Sequence, residues 1–234
     1  SMVTEILLAA DTDPTISVGG ILPTIGGNIR VGGSNLFVTE ACEYTNSFLS
    51  FYPTMEVILN IEADHLDFFK DIDDIRHSFR LFAENTAPDG VIVLNGAIEQ
   101  HDAITEGLSA KVVTYGLSAD NDFYASDISY NEKGCASFLA HEGNTTIGQI
   151  TLSIPGEHNV QNALAAIALC TQMKIPVTSI ISGLSAFHGT KRRFEKKGTV
   201  GGITIIDDYA HHPTEIRATL EAAKLSLIHI SEPT

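Results

Sequence analysis

The sequence is short of cysteine, of basic residues and of long apolar runs. Its 234 residues include three cysteines and no tryptophan, and 14 Lys and Arg against 29 Asp and Glu give a net charge of −15. The widely separated Cys42, Cys135 and Cys170 form neither a disulfide framework nor a CxxC metal motif, which favours a reducing cytoplasm. The acidic excess argues against nucleic acid as a partner. No apolar run approaches the roughly 20 residues that a membrane helix needs, so no membrane association is expected.

Strand-like and helix-like patterns alternate in the first half of the chain. Four short apolar segments rich in β-branched residues predict buried parallel strands, at 36–40, 55–61, 90–94 and 111–115. After the second strand, one apolar face predicts a helix, formed by Ile72, Ile75, Phe79 and Phe82. This alternation predicts an α/β fold with a doubly wound, mostly parallel sheet. Three later segments predict a small antiparallel sheet added to it, at 124–130, 135–141 and 147–154.

The last part of the chain holds further helices and one more strand. Residues 160–173 are apolar nearly all round, which predicts a buried helix, and a second helix is predicted at 177–187. The turn-rich stretch 196–202 follows a basic run and predicts a domain boundary. Beyond it we expect an apolar strand at 203–206, poorly covered, and a helix at 213–224 opened by proline at its first turn.

Polar residues stand at the ends of two predicted strands. Glu40 and Glu43 lie at the carboxyl end of the first strand, and His65 follows the second between acidic neighbours. In open α/β sheets ligands bind just beyond these ends, and Glu with His could jointly hold a divalent cation. The plain alternatives are a solvated acidic loop and a histidine that caps or packs.

The turn at 155–162 leads into the predicted buried helix. Asn159 and Asn162 are three positions apart and lie on one face of its first turn. A side-chain amide has a donor and an acceptor, so it can pair with both the exocyclic amine and a ring nitrogen of adenine. Capping of the helix by Asn159 is the alternative, and both roles can coexist.

Two later segments are candidates for anion binding. Three successive cations at 191–193 stand out in an acidic chain, and arginine binds phosphate oxygens in a bidentate manner. A solvated basic run is the alternative. The strand end and helix start at 207–213 suit sugar hydroxyls and anions, with histidines that titrate near neutrality.

One glycine-rich segment is rejected as a nucleotide site. Residues 27–34 nearly fit the spacing of a phosphate loop, but Gly33 stands where the loop needs lysine. The segment also precedes a strand, whereas a phosphate loop follows one. We therefore expect a mobile glycine-rich loop here.

Taken in order, these segments resemble the Mur ligase family, ATP-dependent enzymes that add amino acids to the peptidoglycan precursor. Five successive motifs carry the resemblance, at 39–49, 60–67, 155–162, 191–195 and 207–215. The early glycine loop at 19–28 and residues 42–48 are most similar to the branch whose substrates are UDP-N-acetylmuramate and L-alanine.

The resemblance covers residues 2–224 and implies a division into parts. It implies the family's central, ATP-binding domain at 1–196, without its phosphate loop, and a truncated Rossmann-like C-terminal domain starting at 197–224. Residues 225–234 do not resemble the family's continuation and are expected to be an unrelated tail.

The resemblance also implies roles for residues of the central domain. Glu40 and His65 match catalytic positions that hold Mg²⁺ near the γ-phosphate of ATP and the substrate carboxylate. Asn159 and Asn162 match the pair that contacts adenine.

Further matches lie near the phosphates, the ribose and the substrates. Arg193 matches a catalytic arginine on the phosphate side, and Asp208 matches a residue near the ribose, with Asp207 leaving that match open by one position. The remaining matches are substrate positions near L-alanine and the muramate carboxylate, with His211 also counted as catalytic: Glu43, Tyr209 and His211.

The implied reaction is an ATP-dependent amide formation. ATP phosphorylates the lactyl carboxylate of UDP-N-acetylmuramate, and the amine of L-alanine attacks the acyl phosphate. Without a phosphate loop, the chain is expected to have no ligase activity alone. Two alternatives stay open, namely a fragment of the sister ligase that attaches murein tripeptide and a catalytically inactive nucleotide-binding remnant.

Overall fold

The computed structural model describes residues 1–226, which form six α-helices and eleven β-strands. The helices are α1 (Met2–Ala9), α2 (Ile72–Glu84), α3 (His101–Thr105), α4 (His158–Gln172), α5 (Val177–Ala186) and α6 (Pro213–Ser226). The strands are β1 (Thr15–Leu22), β2 (Gly27–Arg30), β3 (Phe37–Thr39), β4 (Met55–Ile58), β5 (Val91–Asn95), β6 (Lys111–Gly116), β7 (Phe123–Tyr130), β8 (Cys135–Glu142), β9 (Thr145–Pro155), β10 (Glu195–Val200) and β11 (Ile203–Asp207). From residue 227 onward, the tail expected at 225–234 lies outside the described residues.

Six strands form the main sheet, in the order β4-β5-β6-β7-β8-β9. Strands β4 to β7 are parallel to their neighbours, and β7 to β9 are antiparallel. The two parts are joined by a short parallel pairing of Tyr115 with Phe123 and of Gly116 with Tyr124. The mixed α/β fold is therefore confirmed, and the predicted antiparallel strands continue the parallel sheet.

Helices cover both faces of the main sheet. Val93 packs in the large core around the buried helix α4, whereas Ile92 and Leu94 pack in a second cluster with residues of α2 and α3. Because alternate side chains of a strand point to opposite faces, these two clusters lie on opposite sides of the sheet. The doubly wound arrangement and the buried helix are both confirmed.

A smaller sheet of order β2-β1-β3 precedes the main one. The mobile loop expected at 27–34 is wrong for its first part, because Gly27–Arg30 forms β2 and pairs with β1. Arg30 anchors this strand, since its guanidinium donates to the Pro14 carbonyl at 2.8 Å and pairs with Asp13. Residues 15–22 show no continuous strand pattern, because two glycines interrupt β1.

The C-terminal part consists of the antiparallel hairpin β10–β11 and helix α6. The turns predicted at 196–202 are wrong for most of this stretch, because β10 runs to Val200 and only the two glycines after it form a turn. Ile203 and Ile205 of β11 are 70% and 50% exposed, which confirms that this predicted strand is poorly covered. No helix in residues 1–226 is long and apolar enough to cross a bilayer.

Candidate functional site

Glu40 lies directly after β3 and is held by β1. Its backbone N–H donates to the Ser17 carbonyl, and its Oε2 accepts from the Gly19 N–H, both at 3.0 Å. A Cβ at position 19 would lie 2.8 Å from Oε1 of Glu40, so a larger residue there would displace this carboxylate. Within the described chain Oε1 makes no hydrogen bond, which leaves one carboxylate oxygen available to a ligand.

His65 lies in the loop after β4 and meets the segment that follows β3. Its Nε2 is 3.6 Å from Oε1 of Glu43 and 3.9 Å from Oδ2 of Asp64. The Tyr44 ring lies against the imidazole, with 4.6 Å between ring centroids. Three residues of these two segments have positive φ angles, which non-glycine residues seldom adopt: Thr45 (55°), Asn46 (58°) and His65 (53°).

The structure places Glu43, a predicted substrate residue, rather than Glu40 beside the predicted metal residue His65. Glu43 and His65 are adjacent, whereas no ion pair or hydrogen bond joins Glu40 to His65 in residues 1–226. The same residues contain no group of three or more His, Cys, Asp and Glu side chains arranged to hold a metal ion. This chain therefore offers a partial set of donors.

Asn159 and Asn162 lie on the first turn of α4 and are bonded to each other. Asn162 Nδ2 donates to Oδ1 of Asn159 at 3.3 Å, and Asn159 Nδ2 donates to the Pro155 carbonyl at 2.7 Å. The N-cap position of α4 is Glu157, so capping by Asn159 is wrong. The two amides form a half-buried pair, fixed by the turn that precedes the helix.

His158 stands beside this pair at the start of α4. Burial lowers the pKa of His158, and the charge of Arg193 acts in the same direction, against Asp208 and Glu221. A neutral imidazole can accept a hydrogen bond, and its Nε2 lies 3.1 Å from Nδ2 of Asn159.

Asn95 is a buried polar residue that the sequence analysis missed. It ends β5 and is 8% exposed. Its Nδ2 donates to the Leu59 carbonyl at 2.9 Å and to Oε1 of Gln161 at 3.3 Å. It thereby joins the loop after β4 to helix α4. It could have been recognised from the sequence, because an asparagine ends an otherwise apolar strand and ligands bind beyond such strand ends.

Asp208 organises the turn between β11 and α6. Its Oδ2 accepts from the Phe194 N–H at 2.8 Å, and its Oδ1 accepts from the Ala210 N–H at 2.7 Å. Both carboxylate oxygens therefore bind backbone donors. Asp207 ends β11, and its Oδ2 lies 3.4 Å from Nζ of Lys197.

Arg193, Tyr209 and His211 are brought together around Glu215. Arg193 Nη1 lies 3.5 Å from Oε1 of Glu215, and the His211 N–H donates to Oε2 at 3.2 Å. The guanidinium carbons of Arg192 and Arg193 lie 4.6 and 5.8 Å from the centre of the Tyr209 ring. Arg192 belongs to the basic run 191–193 that the sequence predicts to bind anions. Glu215 was given no role from the sequence, although an acidic residue in the first turn of a helix is a recognised signal.

The comparison with protein families decides the relationship of this chain. Residues 22–170, more than half of the chain, match the model of the Mur ligase middle domain. This chain belongs to the Mur ligase family. A second model, described as the Mur ligase glutamate ligase domain, matches residues 192–229.

Curated relatives of this Mur ligase chain are close in sequence. It is 59% identical over 224 residues to the UDP-N-acetylmuramate–L-alanine ligase of Agathobacter rectalis, covering 96% of this chain and 49% of that protein. It is 51% identical over 226 residues to the protein of the same name from Caldanaerobacter subterraneus, with coverage of 96% and 49%. The chain thus spans about half the length of these relatives.

Solved structures of the family share the fold. The UDP-N-acetylmuramate–alanine ligase of Thermotoga maritima has a TM-score of 0.83 at 28% identity, covering 97% of this chain and 51% of that one. A murein peptide ligase from Psychrobacter arcticus has a TM-score of 0.75 at 28% identity, with coverage of 95% and 51%.

Proposed function

We propose that this chain is part of an ATP-dependent ligase that joins L-alanine to the carboxylate of UDP-N-acetylmuramate. The observation that carries the proposal is the 59% identity, over nearly the whole chain, to a ligase of that name. We assign residues 1–196 to the ATP-binding central domain and 197–224 to the start of the next domain. The three cysteines are free, in keeping with a cytoplasmic protein.

The donors at the strand ends suit a magnesium ion in part. Mg²⁺ prefers a few carboxylate oxygens and keeps several waters, so the available Oε1 of Glu40 is an appropriate ligand. Imidazole is a poorer match to this hard cation, and the Glu43 carboxylate 3.6 Å from His65 is the more suitable donor there. We propose that Glu40 would hold the ion directly, and that His65 and Glu43 are the further candidate donors of this chain.

The amide pair on α4 suits the adenine of ATP. Asn162 lies inside the helix, where its side chain has no capping role, and it keeps one N–H and its own carbonyl oxygen for a ligand. Asn159 is oriented by the Pro155 carbonyl and holds Asn162 in place. We propose that Asn162 makes the direct contact to the base.

The residues near α6 suit the phosphates and the substrates. ATP with Mg²⁺ would contribute the phosphoryl group that activates the substrate carboxylate. Arg193 is half exposed and would offset phosphate charge, exchanging Glu215 for the ligand. His211 and Tyr209 are exposed beside it and would orient the muramate carboxylate and L-alanine. Asp208 would act near the ribose chiefly by fixing the turns that carry these groups.

The proposal is tested with the full-length protein that contains this chain. L-Alanine-dependent release of ADP in the presence of UDP-N-acetylmuramate and Mg²⁺ is the expected result, and Glu40→Ala is the control that should lose it. Absence of ADP release from the unmodified protein would refute the proposal.

The sister reaction with murein tripeptide is the second candidate. A murein peptide ligase shares the fold at the same identity of 28%, although with a lower TM-score, 0.75 against 0.83. Replacing L-alanine by the tripeptide in the same assay separates the two, because only the acceptor differs. A protein that binds ATP but releases no ADP with either acceptor would instead be a nucleotide-binding remnant.

A further inference from the structure

Glu62 joins two parts of the chain that are far apart in sequence. It lies in the loop after β4, and its Oε2 accepts a hydrogen bond from the Thr214 hydroxyl at 2.6 Å. Its Oε1 accepts from Nδ2 of Asn60 at 3.1 Å, which orients the carboxylate. In the described part of the chain, this is the one side-chain hydrogen bond between the loop 59–69 and the segment 207–226.

The contact is made at the start of α6. Thr214 is the second residue of that helix, and Nδ1 of His212 lies 3.5 Å from the same carboxylate oxygen. A negative charge is stabilised at a helix N-terminus, and a hydrogen bond to a carboxylate is stronger than one between neutral groups. The position of Glu62 is therefore favourable for holding the first turn of α6.

Residues of the proposed site lie on each side of this contact. His65 is three residues after Glu62 in the same loop, and Tyr209 and His211 precede Thr214 by a few residues. Asp208 and Glu215 accept hydrogen bonds from the backbone of the turn that carries Tyr209 and His211, but both residues belong to the same segment as that turn. Glu62 instead links this segment directly to the loop that carries His65.

We propose that Glu62 is a positioning residue, which sets the start of α6, and with it Tyr209 and His211, relative to the strand-end loop that carries His65. This inference rests on the proposed ligase function. It assigns to Glu62 no contact with a substrate.

The test uses four variants of the contact and one control variant, all in the full-length protein. Glu62→Ala and Thr214→Val should each lower kcat about ten-fold and leave the KM for ATP nearly unchanged, because the adenine pair on α4 is not involved. Thr214→Ser keeps the hydroxyl and should restore most of the rate. The double variant Glu62→Ala/Thr214→Val should be no slower than either single variant. Glu99→Ala, which removes an exposed partner of Arg76, is the matched control and should behave as the unmodified protein.

Hydrogen–deuterium exchange without substrates gives a second readout. The segment 209–217 should exchange faster in Glu62→Ala and Thr214→Val than in Thr214→Ser. Normal kcat in both disruptive variants of an active protein, or additive losses in the double variant, would overturn the inference and leave the ligase function intact. If the unmodified protein releases no ADP, the proposed function itself fails, and the positioning role of Glu62 fails with it.

Discussion

Glu56 gives the sharpest prediction about stability, because it is a buried carboxyl group without a hydrogen-bond partner. It lies in β4, is 5% exposed, and both of its carboxyl oxygens are unpaired within residues 1–226. Burial raises the pKa of Glu56 from 4.5 to about 7, and Thr86 offsets only part of this effect. The folded chain therefore favours the protonated carboxyl group, whereas the unfolded chain ionises it at ordinary acidity.

The size and sign of the effect follow from this difference in pKa. The favourable contribution of the protonated form is complete below about pH 4.5 and is lost as the pH rises through about 7. A pKa of about 7 against 4.5 corresponds to about 3 kcal/mol, since one ten-fold change in an equilibrium constant is about 1.4 kcal/mol. Most of this loss falls between about pH 5 and pH 8.

Glu56→Gln separates this effect from other consequences of substitution. The amide has nearly the same shape but does not titrate, and its unpaired hydrogen-bonding groups cost the same at every pH. We compare the free energies of unfolding of the two 234-residue chains in urea. The difference, variant minus original, should increase by about 2 to 3 kcal/mol between pH 5 and pH 8. The control Glu84→Gln removes an exposed partner of Arg80 and should show little such gain. A difference between Glu56→Gln and the original chain that stays constant with pH would refute the reasoning.

Three further predictions follow from the site and the packing. In the full-length protein, Glu40→Ala or His65→Ala should lower turnover by about 100-fold or more and raise the Mg²⁺ requirement, because each would help to hold the Mg²⁺ that offsets negative charge in the transition state. Normal turnover with unchanged Mg²⁺ dependence would show that the substituted residue is not a metal ligand. Asn162→Ala should raise the KM for ATP roughly ten-fold with little change in Tm. A large fall in Tm with an intact preference for ATP over GTP would show that the Asn162 side chain has a structural role and does not bind adenine. Gly183→Ala should destabilise the chain by about 1–3 kcal/mol in urea unfolding, because the new Cβ would lie 2.5 Å from Cα of Ile6. A variant as stable as the original chain, or more stable, would contradict this close packing of the two helices.

Much of the main sheet could be predicted because its strands are buried. Met55–Ile58 and Val91–Asn95 are nearly continuous apolar runs, and such runs are typical of parallel strands covered on both faces. β1 was missed because two glycines divide it, and glycine weakens any strand pattern. β10 was mistaken for turns because its residues are polar, as an exposed edge allows.

The candidate site was located by segment but not by side-chain partner. Strand ends and helix starts can be recognised from the order of elements, and this identified the segments with Glu40, His65 and Asn162. Which groups meet depends on loop conformation. Glu43, rather than Glu40, lies next to His65, and the loops that carry the two residues contain positive φ angles at Thr45, Asn46 and His65. Non-glycine residues seldom adopt such angles, so they cannot be predicted from the residue types in these loops.

The contact between Glu62 and Thr214 could not be predicted from sequence patterns. Hydrophobic periodicity reports which face of an element is buried, because burial acts on many residues at a regular spacing. A single hydrogen bond between residues 152 positions apart has no period and no compositional trace. Its partners are also ordinary in isolation, since acidic residues are common in loops and threonine is common at helix starts. What makes Glu62 informative is its position between His65 and the start of α6, and only the folded chain reveals that position.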